Sequence, residues 1–411
     1  MDPQELVAFV DDQAAQIASR QPDLAFDHDE YAGRLARLQV AMEHARLDTL
    51  IVSAPEAMCW LHGYQGRWYK SQSTTTWPPF QCTVVRLGDE RLLQFDMERH
   101  RHLIPRTSVV SDLRLKSANT VSEWLEFFLG ELEAEGWLGG TVGIEKWSSV
   151  PNRATSEIVE AALQSRGCTV VDGSLVTRQV RRLKSDAEIE VLRRAAGVCD
   201  AGLRALQGAL APGITELEAW EVMVGAMNAA GGEPAALQEN VWAGTSPLIH
   251  ALSSRRRIAA GEIVCADPCG VVNRYHANAA RTLSVGEPAP AAIELMKVLA
   301  EGVRLFEDAA APGVRIGDVQ RTLRAFYQDS GIWERRGWLG GYEFGIAFPP
   351  DWVGEWVFAV DDADSDEVFE EGLVTNYESV VGLVLIDTFV IGAAGAERLS
   401  SVPPEILVAG G

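Results

Sequence analysis

Segments with helical spacing alternate with strand-like segments along the first part of the chain. From Tyr31, apolar residues recur at helical spacing, including Leu35, Leu38 and Met42, and lead into the strand-like run DTLIVS. The strand-like segments CTVVRLG, ERLLQFD, GTVGIE and CTVVDG follow, with two more helical segments among them. This alternation predicts a three-layer α/β domain that ends near Asp172.

Two further regions flank this pattern. Residues 1–30 combine an acidic amphipathic segment with a polar turn, which predicts a helical arm. We therefore predict two domains, an amino-terminal one over residues 1–175 and a second one over residues 176–411.

The second domain contains signals for helix starts. Ser185-x-x-Glu188 and Thr215-x-x-Glu218 both match the capping box, in which the two side chains satisfy backbone N–H groups at a helix start. We therefore predict a helix after each of them.

A turn and helix recur about a hundred residues apart. APGITELEAWEVMV at 211–224 is echoed by APGVRIGDVQRTLRAFY at 311–327. The echo predicts two related halves, each pairing helices with antiparallel strands, although chance recurrence of a common turn would also explain it.

Composition excludes several classes of protein. The 411 residues include 58 acidic and 36 basic side chains, a formal charge of −22, which argues against nucleic acid or an anionic membrane as the main partner. The six cysteines form no CxxC pair, which is typical of reduced thiols in a cytosolic protein. We see no signal peptide and no apolar run of membrane-spanning length, so we expect a cytoplasmic protein.

Three segments carry side chains suited to chemistry. His250 lies in a polar loop ahead of the strand IVCAD, which ends at Asp267, and the next segment carries His276 and Arg281. Glu378 interrupts an otherwise apolar strand, where a carboxylate is costly unless it is paired or used. Three of these residues also have structural alternatives: His250 as a surface or turn histidine, Asp267 as a turn cap, and Arg281 as a structural partner of one of these carboxylates.

The order of these segments resembles a known family. GEIVCAD, YHANAARTLSVG, GYEFG, GLVTNYE and DTFVIG with GAERLS resemble the motifs of the creatinase/aminopeptidase P group. The resemblance runs from about Tyr31 to the end. It implies a creatinase-like α/β amino-terminal domain and an α+β catalytic domain with the "pita-bread" fold. RYHANAARTLSVGEP and GYEFGIAFPPDWVGEW are most similar to ectoine hydrolases and, less closely, to creatinases.

The resemblance also bears on metal binding. Metallopeptidases of this fold hold two divalent ions with two Asp, one His and two Glu, since such cations need converging anionic oxygens. Asp267 and Glu378 match two of these positions, whereas the others fall on Asn278, Tyr342 and Ile386. We therefore predict no catalytic metal and no cofactor.

A site without a metal needs an organic acid or base. His250 matches the family histidine that acts as general acid/base in creatinase, and Asp267 and Glu378 would hold an amidinium or guanidinium. Arg281 would balance them or bind a substrate carboxylate. Creatinase carries a glutamate where this chain has Ala280, which disfavours creatine. Asp267 replaces a glutamate common in ectoine hydrolases, which leaves open whether the substrate is ectoine.

Aromatic residues complete the predicted site. By resemblance, the substrate-binding residues are His276, Arg281, Tyr342, Trp352, Trp60, Trp68 and Tyr69. The full aromatic set, either core or cation–π cage, is Trp60, Tyr64, Trp68, Tyr69, Trp77, Tyr342, Trp352 and Trp356. Because the amino-terminal domain of this family covers the partner's active site, the resemblance implies a homodimer in which Trp60, Trp68 and Tyr69 close the partner's pocket.

The leading prediction is a metal-independent hydrolase of a C–N bond in a small cyclic amidine or guanidino acid, similar to ectoine hydrolase. The substrate would be cationic or zwitterionic. Three alternatives stay open at this point: a cyclase or lyase, a non-catalytic binding protein, and a metal-dependent Xaa-Pro peptidase.

Overall fold

The chain divides into two compact units, Met1–Arg181 and Arg182–Gly411. A computed structural model describes residues 2–69, 80–118 and 120–409. The boundary lies beyond residue 175 because the helix Ser174–Arg182 belongs mainly to the first unit. There Thr177 donates a hydrogen bond from its hydroxyl to the buried carboxylate of Glu145, 2.7 Å away. Among the described residues, no helix is long and apolar enough to cross a membrane.

The first unit is the predicted α/β domain. Its helices are α1 (Pro3–Ala18), α2 (His28–His44), α3 (Pro55–His62), α4 (Val121–Ala134), α5 (Arg153–Ser165) and α6 (Ser174–Arg182). Its strands are β1 (Thr49–Val52), β2 (Cys82–Arg86), β3 (Leu92–Asp96), β4 (Asp112–Leu115), β5 (Thr141–Ile144) and β6 (Thr169–Asp172). The strands form one mixed sheet in the order β4-β3-β2-β1-β5-β6, with β1 antiparallel to β2 and parallel to β5.

The two faces of this sheet differ in polarity. Val84 and Phe95 point to an apolar cluster with Phe128 of α4 and Leu163 of α5. Successive strand residues face opposite sides, so the intervening residues share the other face. These include the buried polar side chains of Gln81, Thr83, Gln94 and Asp96.

The predicted arm is α1, which is capped by Asp2 through a hydrogen bond from the N–H of Gln4. None of its residues is buried, and Leu6, Phe9 and Val10 are each more than half exposed. The arm is therefore an amphipathic helix whose apolar side faces solvent in the single chain.

The structure corrects part of the aromatic prediction. Trp60 is 2% exposed, and the Arg34 guanidinium lies over its ring and donates to its backbone oxygen at 2.7 Å. Because Trp60 is enclosed by its own unit, it cannot close a partner's pocket, so that prediction is wrong. Trp68 and Tyr69 are half-buried, with Arg99 over the Trp68 ring at 5.3 Å. Trp77 lies outside the described residues.

The second unit begins with long helices and then builds its sheets. Its helices are α7 (Asp186–Ala209), α8 (Glu216–Ala229), α9 (Pro290–Ala309) and α10 (Ile316–Asp329). Its first strands are β7 (Asn240–Ala243), β8 (Ile263–Asp267), β9 (Cys269–Val272), β10 (Tyr275–Asn278) and β11 (Arg281–Ser284). Its later strands are β12 (Trp338–Tyr342), β13 (Val357–Ala359), β14 (Val374–Val381), β15 (Leu383–Gly392), β16 (Gly395–Arg398) and β17 (Leu407–Val408). They form the sheets β17-β11-β8-β7 and β13-β12-β14-β15-β16, with β9 and β10 paired separately.

The helix starts follow the sequence signals. Ser185 caps α7 and Thr215 caps α8, each in a complete capping box with Glu188 or Glu218. Both predicted capping boxes are confirmed.

The sequence echo corresponds to a structural repeat. The helices α8 and α10 are both 14 residues long, and each follows a turn with a glycine at positive φ, Gly213 or Gly313. The N–H of Gly213 donates to the carbonyl of Ile258, and that of Gly313 donates to Phe369 in the same way. Equivalent turns thus hold equivalent helices to a neighbouring segment, so the second unit consists of two related halves.

An apolar cluster joins the sheets of the two halves. Trp242, Cys265 and Ala280 of the first half pack with residues of the second half. Those residues are Val380, Val384 and Ile386. The packing fixes the strands of one half against those of the other, and the polar site described next draws on both.

Candidate active site

A group of polar side chains collects where several strands of the second unit end. Asp267, Asn278 and Tyr342 are the last residues of β8, β10 and β12, and Glu378 lies within β14. The side-chain nitrogen of Asn278 donates to Oδ1 of Asp267 at 2.8 Å and to the backbone oxygen of Pro268 at 2.9 Å. Strands from both halves therefore supply one site.

Asp267 is held in an environment that disfavours its charge. Burial raises the pKa of Asp267 to about 6, against the opposing effects of the Asn278 hydrogen bond and the charge of His250. His250 is thus one of the groups whose charge acts on this carboxylate.

Glu378 is perturbed more strongly. Burial, followed by the negative charge of Asp267, raises the pKa of Glu378 to about 8, while hydrogen bonds from Tyr342 and Asn376 oppose the rise. The Asn376 side chain donates to Oε1 of Glu378 at 2.8 Å. Two carboxyl groups in one enclosed site repel each other, so Glu378 is largely protonated at neutral pH when the site holds no cation.

Sequence reasoning missed Asn376. Its position two residues before Glu378 was the available signal, because residues i and i+2 of a strand share a face. It also accepts a hydrogen bond at Oδ1 from the N–H of Tyr342, at 2.8 Å. Asn376 therefore orients both neighbours.

Tyr342 and Trp352 come together at this site, as their grouping in the sequence analysis implied. The Trp352 indole donates to the Tyr342 hydroxyl at 3.3 Å, and that hydroxyl donates to Glu378. Burial, with the charges of Glu378 and Asp267, raises the pKa of Tyr342 well above its usual value. Tyr342 therefore remains a hydrogen-bond donor throughout the physiological pH range.

His250 lies at the open side of the group. It is exposed, in the turn that follows a short 3-10 helix after β7. Leu248 and Leu252, on either side of it along the chain, are 46% and 69% exposed. The imidazole of His250 is therefore toward solvent, whereas the carboxyl groups of Asp267 and Glu378, whose charges influence each other, lie deeper.

A third acid was not found from the sequence. Glu239 is buried just before β7, and its pKa is raised by burial and by the charge of Asp267, against a hydrogen bond from the N–H of Ala235. Nothing in the local pattern marks a loop glutamate as buried, so this residue becomes visible only in the fold.

His276 is a structural residue, which corrects its predicted role in substrate binding. The ring is buried, Nε2 accepts from the N–H of Ala236 at 3.0 Å, and Nδ1 donates to the carbonyl of Arg274 at 2.8 Å. Burial and the charge of Arg274 lower the pKa of His276 to about 3. A neutral ring with both nitrogens occupied by backbone has no group left for a substrate.

Arg281 is likewise structural. It is fully buried and forms an ion pair with the buried Asp387, with 2.7 Å between Nη2 and Oδ1. Its other donors reach the backbone oxygens of Ala280, Ile386, Val402 and Pro403. All five guanidinium N–H groups are used, so the predicted contact with a substrate carboxylate is wrong. Arg281 does have a structural carboxylate partner, but that partner is Asp387 and not Asp267 or Glu378.

The side chains present do not fit the two-metal centre of peptidases with this fold. Ile386 lies directly opposite Glu378 in the β14–β15 pairing, where an apolar side chain offers no ligand. Asn278 turns its nitrogen to Asp267, and its Oδ1 is buried without a hydrogen-bond partner among the described residues. Across the described ranges, no group of three or more His, Cys, Asp and Glu side chains is arranged to hold a metal ion.

Two family models match the chain. The model of metallopeptidase family M24 covers residues 190–397, and that of the creatinase/prolidase N-terminal domain covers residues 34–183. The first alone spans half of the chain.

Individual relatives agree with these models. The chain is 25% identical to an ectoine hydrolase of Halomonas elongata over 418 aligned positions, which cover 94% of this chain and 99% of that protein. It is 26% identical to a Xaa-Pro dipeptidase of Pyrococcus horikoshii, over 65% of this chain and 75% of that protein. The crystal structure of an X-Pro aminopeptidase from Thermotoga maritima superposes with a TM-score of 0.75 at 18% identity, covering 91% and 99% of the two chains.

Proposed function

Because the chain belongs to metallopeptidase family M24, we propose that it is a hydrolase, and one that cleaves a C–N bond in a small cyclic amidine or guanidino acid without a metal. The observation that carries this proposal is the pairing of Glu378 with apolar Ile386, beside Asp267 bonded to the neutral amide of Asn278. Two carboxyl groups with neutral neighbours suit an organic cation better than a pair of divalent ions.

The charge of the site supports a cationic substrate. Glu239, Asp267 and Glu378 supply three acids, and each has a raised pKa. An amidinium bound between Asp267 and Glu378 would favour their ionised forms and form charge-assisted hydrogen bonds with them. Binding would therefore release a proton from Glu378 at neutral pH.

His250 supplies the acid/base chemistry in this proposal. Its neutral imidazole takes a proton from a water molecule as the water oxygen bonds to the amidinium carbon. The protonated imidazole then donates to the ring nitrogen as the C–N bond breaks. The remaining hydroxyl proton passes to the freed amine, so an amidinium and water become an amide and an ammonium group with no net change in charge.

The substrate class is proposed partly from relatives. The Halomonas elongata relative is named an ectoine hydrolase and aligns over almost its whole length. Other relatives are named Xaa-Pro dipeptidases at similar identity. We prefer an amidine substrate to a Xaa-Pro dipeptide because the site combines the carboxyl groups of Asp267 and Glu378 with the neutral amide of Asn278.

The proposal includes a cytoplasmic homodimer in which the amino-terminal domain covers the partner's site. The half-buried Trp68 and Tyr69 remain the aromatic candidates for that cover. All six cysteines lie within the described residues as buried thiols, which suits a reducing compartment. Light scattering of the purified protein tests the dimer.

Substrate turnover tests the function. Purified protein is incubated with ectoine, creatine and a Xaa-Pro dipeptide, each with chelator or with added Mn²⁺, and products are followed by mass spectrometry. We expect ectoine to gain one water molecule at a rate that the chelator does not change, and His250→Ala to abolish this. Dipeptide cleavage that depends on added metal would favour a peptidase, and a product without added water would favour a lyase or cyclase.

A further inference from the structure

We propose that Asn240 is a positioning residue that holds His250 toward Asp267. The inference rests on the acid/base role proposed for His250, and it adds a residue that neither the sequence motifs nor the relatives indicate.

Asn240 ties down the backbone on both sides of the histidine. It is the first residue of β7 and is 7% exposed. Its side-chain nitrogen donates one hydrogen bond to the carbonyl of Ile249 and another to that of Ala251, both at 2.8 Å. One amide group therefore holds the peptide unit just before His250 and the one just after Ala251, and both of its N–H donors are used.

The same residue lies beside Asp267, the carboxylate on which the charge of His250 acts. Asn240 is directly opposite Asp267 in the antiparallel pairing of β7 with β8. Opposed side chains in such a pair project from the same face of the sheet. A strand position next to Asp267 thus sets the path of the exposed turn that carries His250.

The remainder of this loop has separate anchors. The Ser253 hydroxyl accepts from the N–H of Val241 and donates to its carbonyl, each at 2.8 Å. Ser254 donates through its N–H and hydroxyl to Glu216. Removing the Asn240 amide therefore frees the turn around His250 while the following residues stay attached.

This division supplies a matched control. Asn240→Ala removes two hydrogen bonds beside His250, and Ser253→Ala removes two from the same loop without touching the flanking carbonyls. Asn240→Asp keeps the size of the side chain but replaces the donors with oxygens that repel both carbonyls. We expect each Asn240 variant to lower kcat about 10- to 100-fold with KM within about twofold, because proton transfer needs an aligned imidazole. Ser253→Ala should lower kcat less than about threefold.

A measurement without substrate separates positioning from general stability. The His250 Cε1–H signal is identified by NMR from its loss in His250→Ala. Replacing Asp267 with Asn should shift this signal in the wild-type background and in Ser253→Ala, and should leave it nearly unchanged in Asn240→Ala. A residue that only stabilised the fold would lower the melting temperature and leave this coupling intact.

The possible failures are distinguishable. If Asn240→Ala retains the coupling and the wild-type kcat while His250→Ala is inactive, the positioning role is wrong and the proposed function stands. Full activity of His250→Ala would instead remove the acid/base assignment. Equal losses of kcat in Asn240→Ala and Ser253→Ala would also overturn the positioning role.

Discussion

Each of the two units contains an aspartate that interacts electrostatically with a histidine, and the two aspartates differ in how many hydrogen bonds they accept. In the first unit, Asp96 accepts hydrogen bonds from Tyr64, Gln81 and His100, at 2.7–2.8 Å, and from the N–H of Met97. The side chains of Asp96, Tyr64, Gln81 and His100 are all buried.

The pair in the second unit is incomplete by comparison. Among the residues that the structure describes, Asp267 accepts one side-chain hydrogen bond, from Asn278, and the histidine whose charge acts on it is exposed. Residue types alone do not distinguish the two sites. A carboxylate surrounded by donors stabilises its unit, whereas one with spare acceptor capacity and a solvent-facing base can bind and transform a ligand.

Replacing His250 or His100 with alanine should give the largest difference between the two units, in activity for one and in stability for the other. His250→Ala should lower kcat about 1000-fold and leave the melting temperature unchanged, because an exposed general acid/base is lost. His100→Ala should retain kcat and destabilise the protein by about 1–3 kcal/mol, because it removes a hydrogen bond to the buried carboxylate of Asp96. Steady-state kinetics and thermal unfolding of both variants measure this, and a large loss of kcat in His100→Ala alone would reverse the assignment.

The carboxyl group of Glu378 should make stability depend on pH. Its pKa is about 8 in the folded protein and near 4.5 in the unfolded chain, so the folded state binds the proton more tightly. This contribution is complete below pH 4.5 and is lost as pH rises through 8. Relative to wild type, Glu378→Gln should gain on the order of 3 kcal/mol of unfolding free energy between pH 5 and pH 8. Denaturant unfolding of both proteins at pH 5 and pH 8 measures this difference. The same change in unfolding free energy between the two pH values in wild type and in Glu378→Gln would contradict the raised pKa.

Neutralising the site carboxylates should weaken binding of a cation. Asp267→Asn and Glu378→Gln are each expected to lower kcat/KM for ectoine about 100-fold, mainly through KM, since each removes a charge-assisted contact. Asp96→Asn serves as the matched change in the first unit and should alter stability only. Equal KM values in all three variants would argue against a cationic substrate.

The smallest effect is expected at Tyr342. Tyr342→Phe removes the hydroxyl that bonds Glu378 and should lower kcat/KM about tenfold. Because that bond opposes the rise in the pKa of Glu378, the variant should need a higher pH to reach half of its maximal binding. The pH profile of KM measures the shift, and a shift to lower pH would contradict the hydrogen-bond assignment.

Local signals in the sequence were sufficient for much of the fold. The capping boxes at Ser185 and Thr215 involve residues three positions apart, and their backbone bonds depend on little else. The motif order likewise identified where Asp267 and Glu378 lie on their strands.

The errors concern partners that are distant in sequence. Arg281 is bonded to Asp387, 106 positions away, and His276 to a backbone N–H 40 positions away. Trp60 is enclosed partly by Arg34 of another helix. Charge, ring type and spacing do not reveal whether such a group is already satisfied, because tertiary packing decides that.

The two related halves of the second unit have diverged into unequal contributors. The first half supplies His250, Asp267 and Asn278, and the second supplies Tyr342 and Glu378. Neither half contains both carboxylates, so the proposed active site is complete only while the apolar cluster between the sheets remains packed. The two halves would therefore act on a substrate in the way that two subunits act when they share one active site. We expect a substitution that loosens this cluster to reduce the proposed turnover before it unfolds the helices and strands of either half.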